Sequence, residues 1–101
     1  MATTSKVLFR GAATTTVGTT LYTVPSATTT IVTNIVVTNT AGTSGTFNIS
    51  LNGTAIATTV TVGAYDSTVI DIKQVLAATN TITGGASATS INFHISGVEI
   101  A

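Results

Sequence analysis

The chain has 101 residues, of which only 6% are charged, and three basic residues balance three acidic ones at a formal net charge of zero. Soluble domains usually carry about a quarter charged residues and a net charge that keeps copies apart. This composition lacks the basic footprint that nucleic-acid binding requires. It suits a subunit whose outer faces are covered by other copies or by a larger particle.

The residue types indicate an all-β fold. Threonine is the most frequent residue, and the apolar share of 44% consists mostly of Val, Ile and Ala. Side chains branched at Cβ fit a pleated sheet better than a helix. The length allows one hydrophobic core, so residues 1–101 are predicted to form a single domain.

The absence of cysteine excludes a disulfide framework and a thiolate metal site. No apolar run in the sequence is long enough to span a bilayer, so no membrane partner is expected. The first ten residues also lack the apolar core of a secretory signal, and we expect the protein to be made without a cleaved export signal.

The first third of the chain predicts three strands. Residues 6–10 place Val7 and Phe9 on one face and Leu8 on the other. A second strand over residues 20–24 should end at Pro25, which has no amide donor. The longest strand covers residues 29–40 with apolar side chains on both faces, which predicts a central strand covered on both sides.

The middle of the chain predicts a hairpin. Residues 46–52 alternate strictly, with Phe47, Ile49 and Leu51 facing inward. The dipeptide Asn52-Gly53 tolerates positive φ at both positions of a type I′ turn. Residues 54–57 should therefore pair back on the preceding strand, and residues 58–62 should continue as an extended segment.

The last third predicts three further strands, over residues 67–73, 81–83 and 91–100. Residues 74–78 form the only plausible helical turn, and Gly84-Gly85 should end the short strand as a turn. In the final strand the apolar parity changes after Gly97, which predicts a bulge around Ser96-Gly97. About eight or nine short strands indicate a single antiparallel β-sandwich, for which a jelly roll is one arrangement.

Residues with catalytic or metal-binding chemistry are few. His94 is the only histidine, and Asp66, Asp71 and Glu99 have no recognised ligand spacing with it. No Gly-x-Ser-x-Gly segment is present for a serine nucleophile. We therefore expect no enzyme activity, no cofactor and no metal, and we assign no catalytic, cofactor-binding or metal-ligating residues. His94 is predicted on an outer strand face, Asp71 and Lys73 as an exposed pair, and Asp66 in a turn.

Two other binding functions have some support in the sequence. Tyr22 and Tyr65 are the only aromatic residues outside the expected core phenylalanines (Phe9, Phe47 and Phe93), and a glycan could stack on either. Local Thr-x-Thr ranks such as Thr59 and Thr61 resemble an ice-binding face, but the repeat that would align them is missing.

Several segments together carry a family resemblance. They are Leu21-Tyr-Thr-Val-Pro25, residues 30–39, Leu51-Asn-Gly-Thr-Ala-Ile56, Asp71-Ile-Lys-Gln-Val-Leu76 and residues 91–99. In these segments the chain resembles small virion structural proteins of tailed bacteriophages, especially phages of aquatic hosts such as cyanobacteria. The resemblance covers most of the chain from Leu21 onward. It implies a β-sandwich accessory protein of the particle and supplies no catalytic or ligand residues.

The expected function is therefore that of a virion structural protein, and first an exterior capsid decoration or cement subunit. A neck, tail or fibre-associated subunit is the alternative, and a glycan-binding host-attachment module is the third candidate. Expected partners are other copies of the chain, with a trimer suited to capsid symmetry, and the major capsid protein or neck and tail proteins. The expected location is the virion, assembled in the host cytoplasm. The isolated chain should self-associate.

Overall fold

The computed structural model describes residues 2–101, which form eight β-strands and no helix. The all-β prediction is confirmed. In chain order the strands are β1 (Thr3–Ala12), β2 (Thr20–Thr23), β3 (Thr29–Asn39), β4 (Gly45–Leu51), β5 (Thr54–Val62), β6 (Ser67–Leu76), β7 (Thr81–Ala86) and β8 (Ile91–Ile100).

The strands build two four-stranded antiparallel sheets. Sheet A has the order β1-β8-β3-β6, and sheet B has the order β2-β7-β4-β5. The pairing is nested along the chain: β1 bonds to β8, β2 to β7, β3 to β6 and β4 to β5. The described part of the chain is elongated, with extents of 46 × 21 × 18 Å.

The core lies between the two sheets, as a β-sandwich requires. In β4 the strict alternation puts Phe47, Ile49 and Leu51 inward, as predicted. Sheet A contributes the facing set Ile91, Phe93 and Ile95 from β8, each fully buried. Phe47 and Phe93 meet edge to face across the core with ring centroids 6.1 Å apart, a geometry that aromatic pairs prefer.

The predicted hairpin at Asn52-Gly53 is confirmed. Asn52 has φ of 48° and Gly53 has φ of 82°, so both central residues adopt the positive φ that a type I′ turn demands. Leu51 pairs with Thr54 directly across the turn, and β5 runs back antiparallel along β4. Residues 54–57 and 58–62 form one strand.

A line of bulges crosses sheet A at the level of Gly97. The register skips Leu8 in β1 and Thr33 in β3, on the two sides of β8. The predicted bulge thus lies at the correct level, but the extra residues belong to the neighbouring strands. β8 itself alternates without a break through Gly97. A Cβ at Gly97 would lie 2.8 Å from Leu8 Cδ1, so the glycine leaves the space that Leu8 fills.

These bulges correct the predicted faces of two strands. Leu8 is buried, whereas Val7 is 46% exposed. In β3 the buried set changes parity across Thr33, from Thr30 and Val32 before it to Ile35, Val37 and Asn39 after it. β3 is a central strand as predicted, bonded to both β8 and β6. Its outer face carries Ile31 and Val36, which are partly exposed, so the predicted cover on both sides is wrong.

Two turn predictions are wrong. Residues 74–76 continue β6, because Gln74, Val75 and Leu76 pair with Val32, Ile31 and Thr30 of β3 in a regular ladder. Pairing with a central strand overrides the helix preference of Gln, Leu and Ala. Gly84 and Gly85 lie inside β7, not beyond its end.

Candidate assembly surfaces

Most of the charged side chains belong to one sheet of the sandwich. Five of the charged residues belong to strands of sheet A, and the sixth, Asp66, lies between β5 and β6. The five are Lys6 and Arg10 in β1, Asp71 and Lys73 in β6, and Glu99 in β8. The four strands of sheet B carry no charged side chain. The few charged residues therefore lie almost entirely on sheet A, and the strands of sheet B carry none.

The outer face of sheet B consists of small uncharged side chains. One row across the sheet runs from Thr20 through Thr83 and Ser50 to Ala55. Asn48 and Gly85 form the neighbouring pair, and Thr46 and Thr61 follow. Thr23 and Thr81 pair at the other end. Hydroxyl and amide groups thus occupy positions where an isolated domain would place Lys or Glu.

A threonine-rich loop lies over one corner of this face. Residues 14–19 bond to β7, because Gly84 and Ala86 donate their amides to the Thr19 and Thr14 carbonyls at 2.9 Å each. Inside the loop the Thr19 hydroxyl donates to the Thr16 carbonyl at 2.8 Å and lies 2.6 Å from the Thr14 hydroxyl. The loop presents Val17, which is 50% exposed.

Gly85 explains how the loop can lie so close. A Cβ at Gly85 would lie 2.7 Å from the Thr16 carbonyl carbon and 2.9 Å from Val17 Cα. Gly84 has a similar role on the inner side, where a Cβ would meet the Asn48 carbonyl oxygen at 2.7 Å. The glycine pair therefore serves close packing and does not form a turn.

The edge strands of the two sheets also differ in charge. Both edge strands of sheet A carry charges, Lys6 and Arg10 in β1 and the pair Asp71 and Lys73 in β6. Charges on edge strands oppose edge-to-edge association. The edge strands of sheet B, β2 and β5, carry none. β2 is only four residues long, and β5 is bulged at Thr59, whose amide donates to Asn48 Oδ1 at 2.8 Å.

The outer face of sheet A is mixed in character. His94 lies there between Arg10 of β1 and Val36 of β3, exposed on an outer strand face as predicted. Val69 and Val75 of β6 are 64% and 67% exposed. A shallow groove of about 390 Å³ follows the bulge line, lined by Ser5, Lys6, Val7, Thr33, Ser96, Gly97 and Val98. The groove brings together one amine and several hydroxyl groups.

The other polar residues singled out in the sequence have structural positions. Lys73 Nζ lies 3.7 Å from Asp71 Oδ1, with both side chains about four-fifths exposed, so the predicted exposed pair is confirmed. Asp66 lies in the turn between β5 and β6, where its Oδ1 accepts the amide of Ser67 at 2.8 Å. Among residues 2–101 no three His, Asp or Glu side chains converge in a metal-binding group. The same residues contain no helix that could cross a bilayer.

A partly buried polar cluster joins the two sheets, and sequence reasoning missed it. The Tyr22 hydroxyl, on β2 of sheet B, donates to Glu99 Oε2 of β8. Its single proton is then used, so the hydroxyl accepts from Thr30 of β3 at 2.9 Å. Lys6 of β1 reaches the other carboxylate oxygen of Glu99 at 3.3 Å. The spacing of 77 residues between Tyr22 and Glu99 gives no local signal that could have revealed the contact.

The cluster shifts the ionisation of both partners. The hydrogen bond from Tyr22, and then the bond and charge of Lys6, hold the pKa of Glu99 below its ordinary value. Burial and the bond to Glu99 raise the pKa of Tyr22 above its ordinary value. Both groups thus keep their neutral-pH states, a carboxylate and a protonated phenol.

The two tyrosines that sequence reasoning grouped together have different surroundings. Tyr22 is partly buried against the core and uses its hydroxyl inside the sandwich, so its ring is less open to a sugar than an exposed tyrosine. Tyr65 is 78% exposed in the β5–β6 turn and has φ of 54°, a region that a bulky side chain rarely adopts. Its ring lies over Gly42.

Comparison with known families and with curated proteins found no family model and no curated protein that matches the chain.

Proposed function

We propose that this protein is a structural subunit of a tailed-phage virion that acts purely by assembly, most specifically as an exterior capsid decoration or cement subunit. The single observation that carries the proposal is the charge-free sheet B beside a sheet A that holds five of the six charged residues. The neck, tail or fibre-associated position shares the same physics and stays the alternative.

The physical reason lies in the cost of burying a surface. A charged side chain that loses water on assembly needs a partner in good geometry, or the contact is penalised by several kcal/mol. Threonine and serine hydroxyls cost less to desolvate, and these short side chains lose little rotamer freedom. A surface of this kind suits repeated contact with identical neighbours, where many modest contacts combine through avidity.

The topology supports a finer description of the fold. The first strand pairs with the last, and the pairing then nests inward to β4 and β5. We propose that the sandwich is of the jelly-roll type, an architecture used by viral capsid domains among others. The phage assignment itself depends on the resemblance from Leu21 onward.

Quantitative mass spectrometry of purified particles tests the proposal. A decoration subunit should be present in a copy number comparable with that of the major capsid protein. A copy number comparable with portal or tail proteins would move the chain to the neck or tail. Absence from purified particles would overturn the virion assignment.

The glycan-binding candidate now depends on Tyr65, whose exposed ring is the specific observation that keeps it open. Wild-type protein should then be retained on host polysaccharide, and Tyr65→Ala should abolish retention while leaving particle incorporation intact. If the wild type is not retained, the glycan candidate is wrong.

A further inference from the structure

We propose that two copies of this chain pack sheet B against sheet B about a two-fold axis. The inference rests on the proposed assembly function, which explains why this face carries no charge. It goes further by naming the face, the partner and the symmetry.

The partner follows from charge. A surface without charged side chains is matched best by a second such surface, because a partner's charged groups would be desolvated there without a counter-ion. Sheet A is unsuitable as that second surface, since its outer face presents Arg10, His94, Asp71 and Lys73. The outer face of sheet B in another copy meets the requirement. Packing a face against its own copy is an isologous contact and is therefore two-fold.

The shape of the face is compatible with an axis parallel to the strands. The loop carrying Val17 stands over Gly85 on the β2–β7 side of sheet B, whereas the β5 side has no such loop. An axis parallel to the strands places the β2 side of one copy opposite the β5 side of the other. Each raised loop then lies opposite the β5 side of the partner, near the level of the bulge at Thr59.

The available area predicts a weak contact. Four strands of about seven residues offer a planar face of about 450 Å² per copy from ordinary strand spacings. This is at or below the low end of specific interfaces, where complexes are transient. A contact of this size holds on a particle through many equivalent copies, and in solution it should give a concentration-dependent dimer.

Sedimentation equilibrium of the purified chain and of matched variants tests the proposal. Ser50→Lys puts a charge at the centre of the sheet B outer face, on central strand β4. Ser96→Lys makes the same change on the outer face of sheet A, on central strand β8. We expect a monomer–dimer equilibrium in which Ser50→Lys weakens dimerisation at least about tenfold and Ser96→Lys changes it little.

A second pair of variants is used if circular dichroism shows that Ser50→Lys does not fold. Val17→Lys alters an exposed loop residue on the sheet B side, and Val69→Lys alters a similarly exposed valine on sheet A. Only Val17→Lys should weaken dimerisation. Equal effects of both members of a pair, a trimer, or no association would overturn the sheet B contact. Detection of the chain in purified particles is independent of these results, so failure of this contact and failure of the virion assignment are distinguishable.

Discussion

At the scale of single residues, Tyr22 has the most specific role in the structure. Its hydroxyl connects β2 of sheet B to Glu99 and Thr30 of sheet A. Thr30 is fully buried and Glu99 is largely covered, so both depend on this hydroxyl for part of their hydrogen bonding. The cluster therefore fixes how the short edge strand β2 lies on sheet A.

Removing the hydroxyl should destabilise the fold. Tyr22→Phe keeps the ring but leaves Glu99 and Thr30 without this partner, and we expect a loss of about 1 to 2 kcal/mol in the free energy of unfolding. Urea unfolding followed by circular dichroism measures the change. Tyr65→Phe is the matched control, because Tyr65 is exposed at 78%, and it should unfold like the wild type.

The same cluster predicts a pH dependence. Because the pKa of Glu99 is lower in the folded state than its ordinary value of 4.5, its stabilising effect is complete above that value. The effect is lost as the pH falls through the lowered value. Glu99→Gln should therefore be less stable than the wild type at neutral pH and should lose less stability on acidification.

Urea midpoints between pH 7 and pH 3 measure this difference. Asp71→Asn is the control, since the Asp71 and Lys73 side chains are about four-fifths exposed and such surface pairs contribute little. A wild-type acid dependence retained in full by Glu99→Gln would contradict the role given to the carboxylate.

At the scale of strands, glycines mark the places where strands and loops approach closely. A Cβ at Gly97 would collide with the Ile31 carbonyl oxygen and with Leu8, which fills the bulge of β1. Gly97→Ala should reduce the free energy of unfolding by about 2 to 3 kcal/mol, as overpacking usually does. Gly18→Ala is the matched control, because no atom would lie within 4 Å of its Cβ. Equal stability of the two variants would show that a Cβ at position 97 is accommodated without overpacking.

Sequence periodicity predicted most strands correctly, because apolar and polar residues alternate wherever neighbouring strands pair in regular register. β4 and the Asn52-Gly53 hairpin are examples, since both depend on local chemistry alone. Periodicity failed at Leu8 and Thr33, because a bulge changes parity and its position is set by neighbouring strands. The turn assigned to Gly84-Gly85 failed for a related reason. Gly85 leaves space for a loop about 70 residues earlier in the chain and Gly84 leaves space for the backbone of β4, and no local pattern reports either contact.

At the scale of the whole molecule, the sequence predicted that charge is scarce but not where it lies. Its distribution depends on strand order: β1, β8, β3 and β6 meet in one sheet, and they bring the charged residues together. The outward polar residues of β4 were predicted correctly from alternation. That β2, β5 and β7 extend the same charge-free face became visible only through the topology.

We propose that this protein functions by assembling with copies of itself. The most direct test is the molar mass of the wild-type chain, measured by sedimentation equilibrium over a wide range of protein concentration. We predict that the average mass rises with concentration above the 10.1 kDa of one chain. A mass that stays at the monomer value up to the highest concentration would contradict the account.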